Sequence, residues 1–418
     1  MTPPHRPAPL PRWPRPLLIA GIVLAALNLR PALVNVAPLL DQIMAEFRLT
    51  PTAGGLLTTT MVVCLGIVAP LAAPMVHRLG MERTVLAGLA VLAGGILLRS
   101  AGGPVVLYLG AALAGSGIAI LNVLMPPLLR RHFADRVGLL TGIYVAVLVL
   151  GAALAGGLTV PLQQATNTGW RLTAAAVALL VAPALLVWLP LTRARHVEPR
   201  GPRPFRTLLR TPITWYVTGF MGLQSLTFYT ALAWLPAIYT DAGLAPAQAG
   251  YLLGLANLTQ ITTALTLPAL AARARTQSGH VAWAAVLTIA GYLGMLLAPG
   301  STSWLWAVLL GLGQGASIAL ALLLIALRAP EAGLITAFSA IAQFLGYILA
   351  ASGPVLVGAL YQASGGWTVP LGSVLVLLMA QLVVGLRASR PATQTIDRAN
   401  TGTRPLTSRP DDHDHGPN

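Results

Sequence analysis

Apolar stretches of roughly 20 residues recur from Leu17 to Leu386, each bounded by a short polar or Gly/Pro-rich break. A helix needs about 20 apolar residues to cross the hydrocarbon core of a bilayer. The runs are too long for strands, and leucine and alanine dominate them. The pattern predicts spans at approximately 17–40, 52–76, 84–100, 104–129, 136–161, 170–190, 212–239, 247–271, 280–298, 303–327, 332–360 and 367–387. The fold class is thus an all-α membrane protein with twelve transmembrane helices.

The longest polar interruption before the tail, RARHVEPRGPRPFRTLLR at 193–210, leaves six spans on either side. The two halves resemble each other. LTPTAGGLL at Leu49 matches LAPAQAGYLL at Leu244, with Pro38 and Pro236 upstream and Arg78 and Arg273 downstream. AGSGIAIL at Ala114 echoes GQGASIAL at Gly313. Leu/Ala/Gly-rich helices also match by chance, but coincident Pro, Gly and Arg positions favour a duplicated six-helix unit with pseudo-two-fold symmetry. The division expected is a cytoplasmic tail 1–16, a bundle 17–190, a linker 191–211, a bundle 212–387 and a disordered cytoplasmic tail 388–418.

Composition agrees with the pattern. Of 418 residues 56% are hydrophobic and 9% charged, against about a quarter charged in soluble domains. The formal charge of +15 would indicate nucleic acid in a soluble chain. Here topology accounts for it, so the expected partners are the lipid bilayer and a small molecule, with no nucleic acid. There is no lysine; Arg6, Arg12, Arg15, Arg78, Arg83, Arg130, Arg131, Arg136, Arg273, Arg275, Arg328 and the tail fall on one side. Arg48, Arg99 and Arg171 fall on the other, which puts both termini in the cytoplasm. The start looks like a signal peptide, but its apolar pattern runs past Arg30 to Leu40, so an uncleaved first helix is expected. Cys64 reads as inert packing. The tail DDHDHGPN reads as solvated rather than metal-binding, and no cofactor or metal is expected.

The chemistry starts at ALNLRPALVNVAPLL, Ala26 to Leu40, where Arg30 stands deep in the first span. Glu46, Glu82, Asp135, Glu198 and Glu331 lie near span ends or in loops, so no carboxylate shares its depth. An unpaired guanidinium offers a planar fork of donors to a small anion. Its structural alternative is bonding to backbone carbonyls or reaching water along the helix. Because charges inside spans mark function by default, the anion receptor takes precedence. Pro31 removes an N–H and frees a carbonyl, and with Pro38 it predicts a bend, although proline is also commoner in membrane helices. Asn28 and Asn35, seven residues apart, share a face and either line a cavity or bond neighbouring helices.

NLRPALVNVAPLL at Asn28, ILNVLMPPLLRRHF at Ile120, GLLTGIY at Gly138, GLQSLTFYTALAWLPAIY at Gly222, GLGQGASIALAL at Gly311 and AQFLGYILAASGPVLVGALY at Ala342 carry a resemblance. Over residues 17 to 387 the chain resembles the major facilitator superfamily, and within it the cyanate/2-nitroimidazole transporter (CynX/NimT) family. The resemblance implies alternating access of a midplane cavity lined by the first, fourth, seventh and tenth helices. In PMVHRLGMER the superfamily's loop aspartate is replaced by His77, while Arg78, Gly80 and Arg83 are kept. A gate depending on that aspartate is therefore not expected.

Polar residues in these helices complete the candidate site. They are Asn122, then Gln224 and Ser225 (paired at i,i+4 with Phe228 and Tyr229), Gln314 and Ser317, and Gln343 with Tyr347 in the eleventh helix. Helix–helix hydrogen bonding explains each one singly; their concentration argues for binding. Gly353 and Pro354 read as a packing and bending point. The expected function is movement of a small anion or compact polar solute, cyanate-like or nitroimidazole-like, across the inner membrane by a chain functional as a monomer. The alternatives are a multidrug or metabolite exporter, disfavoured by Arg30 without an acidic partner, and a membrane-embedded transferase, for which no base, nucleophile or metal cluster is found. No carboxylate or histidine lies at depth, so direct proton relay is disfavoured, leaving uniport, exchange or symport open.

Overall fold

A computed structural model describes residues 15–133, 137–192, 208–329 and 335–390. Residues 1–14, the linker around Pro202, the tail from 391, and Asp135, Arg136, His196, Glu198 and Glu331 lie outside them. Every element among the described residues is helical. The helical passes are α1 (Arg15–Phe47), α2 (51–79), α3 (Met81–Ala101), α4 (Pro104–His132), α5 (Val137–Thr166), α6 (Trp170–Leu191), α7 (Pro212–Asp241), α8 (Pro246–Arg273), α9 (Ser278–Leu297), α10 (Ser303–Arg328), α11 (Ile335–Ser364) and α12 (Thr368–Ala388). Ten of them contain stretches long and apolar enough to cross a membrane. The other two, α7 and α8, have 30 and 28 residues but more polar positions.

The matched motifs at Leu49 and Leu244 are helix starts. Pro51 and Pro246 each open a helix at a position whose N–H would have no intrahelical partner. Thr50 caps α2 by accepting from the Ala53 N–H at 3.3 Å, and Gln248 Oε1 accepts from the Ala245 N–H at 3.3 Å. The repeat extends to packing. In the first half α1 lies on α5 and α6, α2 on α4, and α3 on α4 and α6. In the second half α7 lies on α11 and α12, α8 on α10, and α9 on α10 and α12. Adding six to each helix of the first set gives the second, as a duplicated unit requires.

Between the halves α2 packs on α11, α5 on α8, and the 3-10 turn Ala37–Leu39 of α1, which contains Pro38, on α7. This seam is tight at the end of the molecule away from the described termini. A Cβ added at Gly55 would fall 2.4 Å from the Pro354 carbonyl oxygen, and one at Gly358 would fall 2.5 Å from that of Pro51. Close approach of backbones through small residues is how membrane helices gain packing. Three hydrogen bonds hold the region together. Thr52 Oγ1 donates to Gln362 Oε1 at 2.7 Å, and Thr59 Oγ1 to the Ala351 carbonyl at 2.6 Å. Trp234 Nε1 donates to the Pro354 carbonyl at 2.8 Å, while Gly353 lies against Leu226 and Thr230 of α7. Gly353 and Pro354 therefore sit where α11 crosses α7 and α2.

Arginines close the helix ends. Arg171 pairs with Glu46 at 2.7 Å and donates to the carbonyls of Ser100 and Gly102. Arg83 Nε donates to the Thr192 carbonyl at 3.1 Å, and Arg328 to the carbonyls of Ala388 and Ser389. Gly80, with φ 88°, makes the turn between α2 and α3, and Arg78 at the end of α2 is also engaged.

Candidate functional site

Pro31 has no N–H to offer the Leu27 carbonyl, and the first helix stops at Asn28. That carbonyl lies against α5, where a Cβ added at Gly151 would come within 2.5 Å of it. The chain resumes as the four-residue helix Pro31–Val34 and breaks again at Asn35–Val36 before the turn Ala37–Leu39. The bend expected from Pro31 and Pro38 takes the form of two breaks, one before Pro31 and one before Ala37.

Arg30 occupies the first break, near the middle of the 33-residue α1, and from Asn28 to Ala37 it alone is not buried. Its guanidinium carbon lies 5.0 Å from the centre of the Phe228 ring of α7. The phenols of Tyr144 (α5), Tyr229 (α7) and Tyr347 (α11) lie within electrostatic reach of the guanidinium. The Tyr229 ring meets Phe228 at 5.1 Å and Tyr347 at 6.3 Å, both edge to face. Among the described residues the Arg30 side chain has neither a carboxylate nor a hydrogen-bond acceptor as partner. An arginine at mid-helix costs about 2.5–3.5 kcal/mol on the insertion scale, and a cation–π contact returns about 0.5–2 kcal/mol. The remainder is available to water or to a bound anion.

The other expected site residues divide sharply. Tyr229 and Tyr347 join Arg30. Asn122 and Gln343 are partly exposed on α4 and α11, and Gln343 Nε2 donates to Ser339 Oγ at 2.8 Å. Asn28 and Asn35 turn away, inside the first half. Asn28 Nδ2 donates at 2.8 Å to the carbonyls of Leu24 and Leu180, and Asn35 Nδ2 donates at 3.4 Å to that of Ala174. Both are buried against α6 because that helix presents carbonyls at its own break near Val177. Of the two expected roles, these contacts match bonding to a neighbouring helix and not lining a cavity wall.

Gln224, Ser225, Gln314 and Ser317 are likewise buried inside the second half. Gln224 Nε2 donates to Ser225 Oγ at 2.6 Å and to the Met221 carbonyl at 3.1 Å. The Thr227 carbonyl accepts from Gln314 Nε2 at 3.3 Å and from Tyr292 Oη at 2.6 Å. Gln381 Nε2 donates to Ser317 Oγ at 3.4 Å, tying α12 to α10. These residues support the helix that carries Phe228 and Tyr229: Gln224 bonds within α7, Gln314 donates to it from α10, and Ser317 accepts from α12, so both amides spend donors on protein acceptors instead of an open cavity.

Sequence reasoning missed three residues. In the sequence Tyr144 is simply the last residue of GLLTGIY, Phe228 is a ring four residues from Gln224, and Arg99 falls at a span end. Arg99 is instead 2% exposed inside the first half. Its Nη1 donates to the Ala32 carbonyl at 2.6 Å and its Nη2 to Asn35 Oδ1 at 2.8 Å. Hydrogen bonds from a charged group contribute about 1.5–3 kcal/mol each, so this pair offsets part of the cost of burying Arg99, whose Nε has no hydrogen-bond partner among the described residues. No comparable pair among the described residues serves Arg30.

The sequence profile of the Major Facilitator Superfamily matches residues 18–351. The chain belongs to this superfamily. It is 40% identical over 370 residues to the uncharacterized transporter YycB of Bacillus subtilis (strain 168), covering 88% of this chain and 91% of that one. It is 39% identical over 381 residues to the 2-nitroimidazole transporter of Escherichia coli (strain K12), covering 90% and 96%. It is 32% identical over 375 residues to the cyanate transport protein CynX of the same organism, covering 88% and 96%. These relatives place it in the cyanate/2-nitroimidazole transporter family. A crystal structure of a bacterial homologue of the human lysosomal transporter Spinster shares the fold, with a TM-score of 0.71 at 15% identity over 90% of this chain and 97% of that one. The protein is a multi-pass membrane transporter of small solutes and not an enzyme, so the transferase reading is set aside.

Proposed function

We propose that this transporter carries a small monoanion or a compact, flat polar solute, cyanate-like or nitroimidazole-like, with Arg30 as the anion receptor. The observation that carries the reading is Arg30, incompletely buried at mid-helix, with its guanidinium over the Phe228 ring and no carboxylate partner among the described residues. One cation suits one negative charge, and phenols from α5, α7 and α11 can add donors around it. The names of the two Escherichia coli relatives supply the substrate class. The aromatic wall accepts a planar ring as readily as a linear anion.

In this reading the chain crosses the inner membrane twelve times as two bundles, 17–190 and 212–387, joined by a cytoplasmic linker, and works as a monomer. The tight seam at Gly55 and Gly358 is the closed side, and the breaks of α1 together with Pro354 let the bundles rock. Reporter fusions after Arg387 and at Pro202 are expected to be cytoplasmic. A periplasmic signal from either contradicts the twelve-span topology.

Function is tested by counterflow in liposomes preloaded with cyanate. Among the described residues the titratable groups whose electrostatics Arg30 touches are tyrosines, so exchange is expected to persist when the proton gradient is collapsed. Loss of exchange in both directions on collapse would require an obligatory proton site and contradict this account of coupling.

A further inference from the structure

We propose that Arg99 is a positioning residue for the substrate site: it holds the second break of α1 open and thereby fixes the turn that presents Arg30. The proposal rests on the reading of Arg30 as receptor, but its test does not require an anion. In an unbroken helix the Ala32 carbonyl would accept from the Val36 N–H. Here the helix ends at Val34, and Arg99 Nη1 reaches that carbonyl from α3 at 2.6 Å. Arg99 Nη2 takes Asn35 Oδ1 at 2.8 Å, and the Asn35 amide donates onward to α6. One planar guanidinium thus spans the short helix at its last turn, replacing a lost backbone donor with two fixed bonds.

The first break is held separately by Asn28, which donates to Leu180 of the same α6. Arg30 lies between the two attachments, with its own carbonyl accepting from Leu33 and Val34 of the short helix. Rotation of the Pro31–Val34 helix would therefore swing Arg30 away from Phe228. Arg99 is the attachment at the far end of that helix. A lysine keeps the charge and one donor but cannot serve both acceptors with a planar fork.

The test uses purified protein with Cys64→Ser and Arg30→Cys, and reads the rate of labelling by a small charged methanethiosulfonate reagent. Measurable labelling is expected when Arg99 is present, with a severalfold change in Arg99→Met and an intermediate rate in Arg99→Lys. Should Arg99→Met not give folded protein, Asn35→Leu removes one of the two acceptors and carries the same expectation. Leu107→Ala is the control for general loosening, because Leu107 lines the small cavity beside Arg99 but takes part in none of the clamp's hydrogen bonds. It is expected to lower Tm and leave the labelling rate unchanged. An unchanged rate in Arg99→Met, or the same shift in Leu107→Ala, would overturn the proposal. Absence of labelling in the parent would overturn both it and the reading of Arg30. Labelling that depends on Arg99 in a protein that moves no anion would sink only the functional reading.

Discussion

Arg30→Met is expected to abolish binding of small anions while leaving Tm near that of the parent. The side chain keeps most of its length and its apolar stem, so its packing is largely preserved. Only the donors and the charge are lost. A hydrogen bond to a charged group contributes about 1.5–3 kcal/mol, so losing one lowers affinity about tenfold to a hundredfold. Losing both arms of a fork lowers it further. Arg30→Lys keeps the charge as a point and is expected to bind measurably but substantially more weakly. A purely structural arginine predicts the reverse: Arg30→Met would melt earlier, and the folded fraction would bind as the parent does. Calorimetric titration and thermal melting on the same preparations separate these outcomes.

Gly55→Val is expected to cost most of the transport rate without unfolding either bundle. The atoms nearest an added Cβ at Gly55 are the Pro354 carbonyl and the Val355 Cα, all backbone. No side-chain rotation relieves that contact, so α2 and α11 must separate. The bond between Thr52 and Gln362 lies on the same seam and must lengthen with them. With Thr52→Cys and Gln362→Cys in the Cys64→Ser background, a short bifunctional thiol reagent is expected to link the two helices and block transport. Adding Gly55→Val is expected to suppress that link and to slow counterflow at least about tenfold, as a barrier increase near 1.4 kcal/mol would. Unchanged linking with normal flux would show that the seam does not work as a gate.

What the sequence made legible follows from where each signal resides. Arg30 and Pro31 stood out because a charge and a missing N–H interrupt an otherwise apolar helix, and both effects are local. The helix starts at Pro51 and Pro246 were equally local, and they revealed the repeat. Arg99 was misread because it falls in the last turn of a short apolar run, where length alone places it at the membrane surface. Only the fold shows α3 carrying it against the breaks of α1. The amides failed for a related reason. Gln314 and Ser317 lie on a helix expected to line the cavity, but their partners, the Thr227 carbonyl and Gln381, come from neighbouring helices, and Gln224 turns back onto Met221 and Ser225 of its own helix. Which way an amide turns depends on that packing, and a single helix does not encode it. Tyr144 and Phe228 are ordinary aromatics in the sequence and gain meaning only from the guanidinium opposite them.

The most direct test of the anion-receptor account is uptake by the purified protein in liposomes. A panel of labelled cyanate, other small monoanions and a nitroimidazole would be compared between the parent and Arg30→Met. The account predicts saturable cyanate uptake by the parent and uptake at the protein-free level by a folded Arg30→Met variant. Equal, saturable uptake by the two proteins would contradict it.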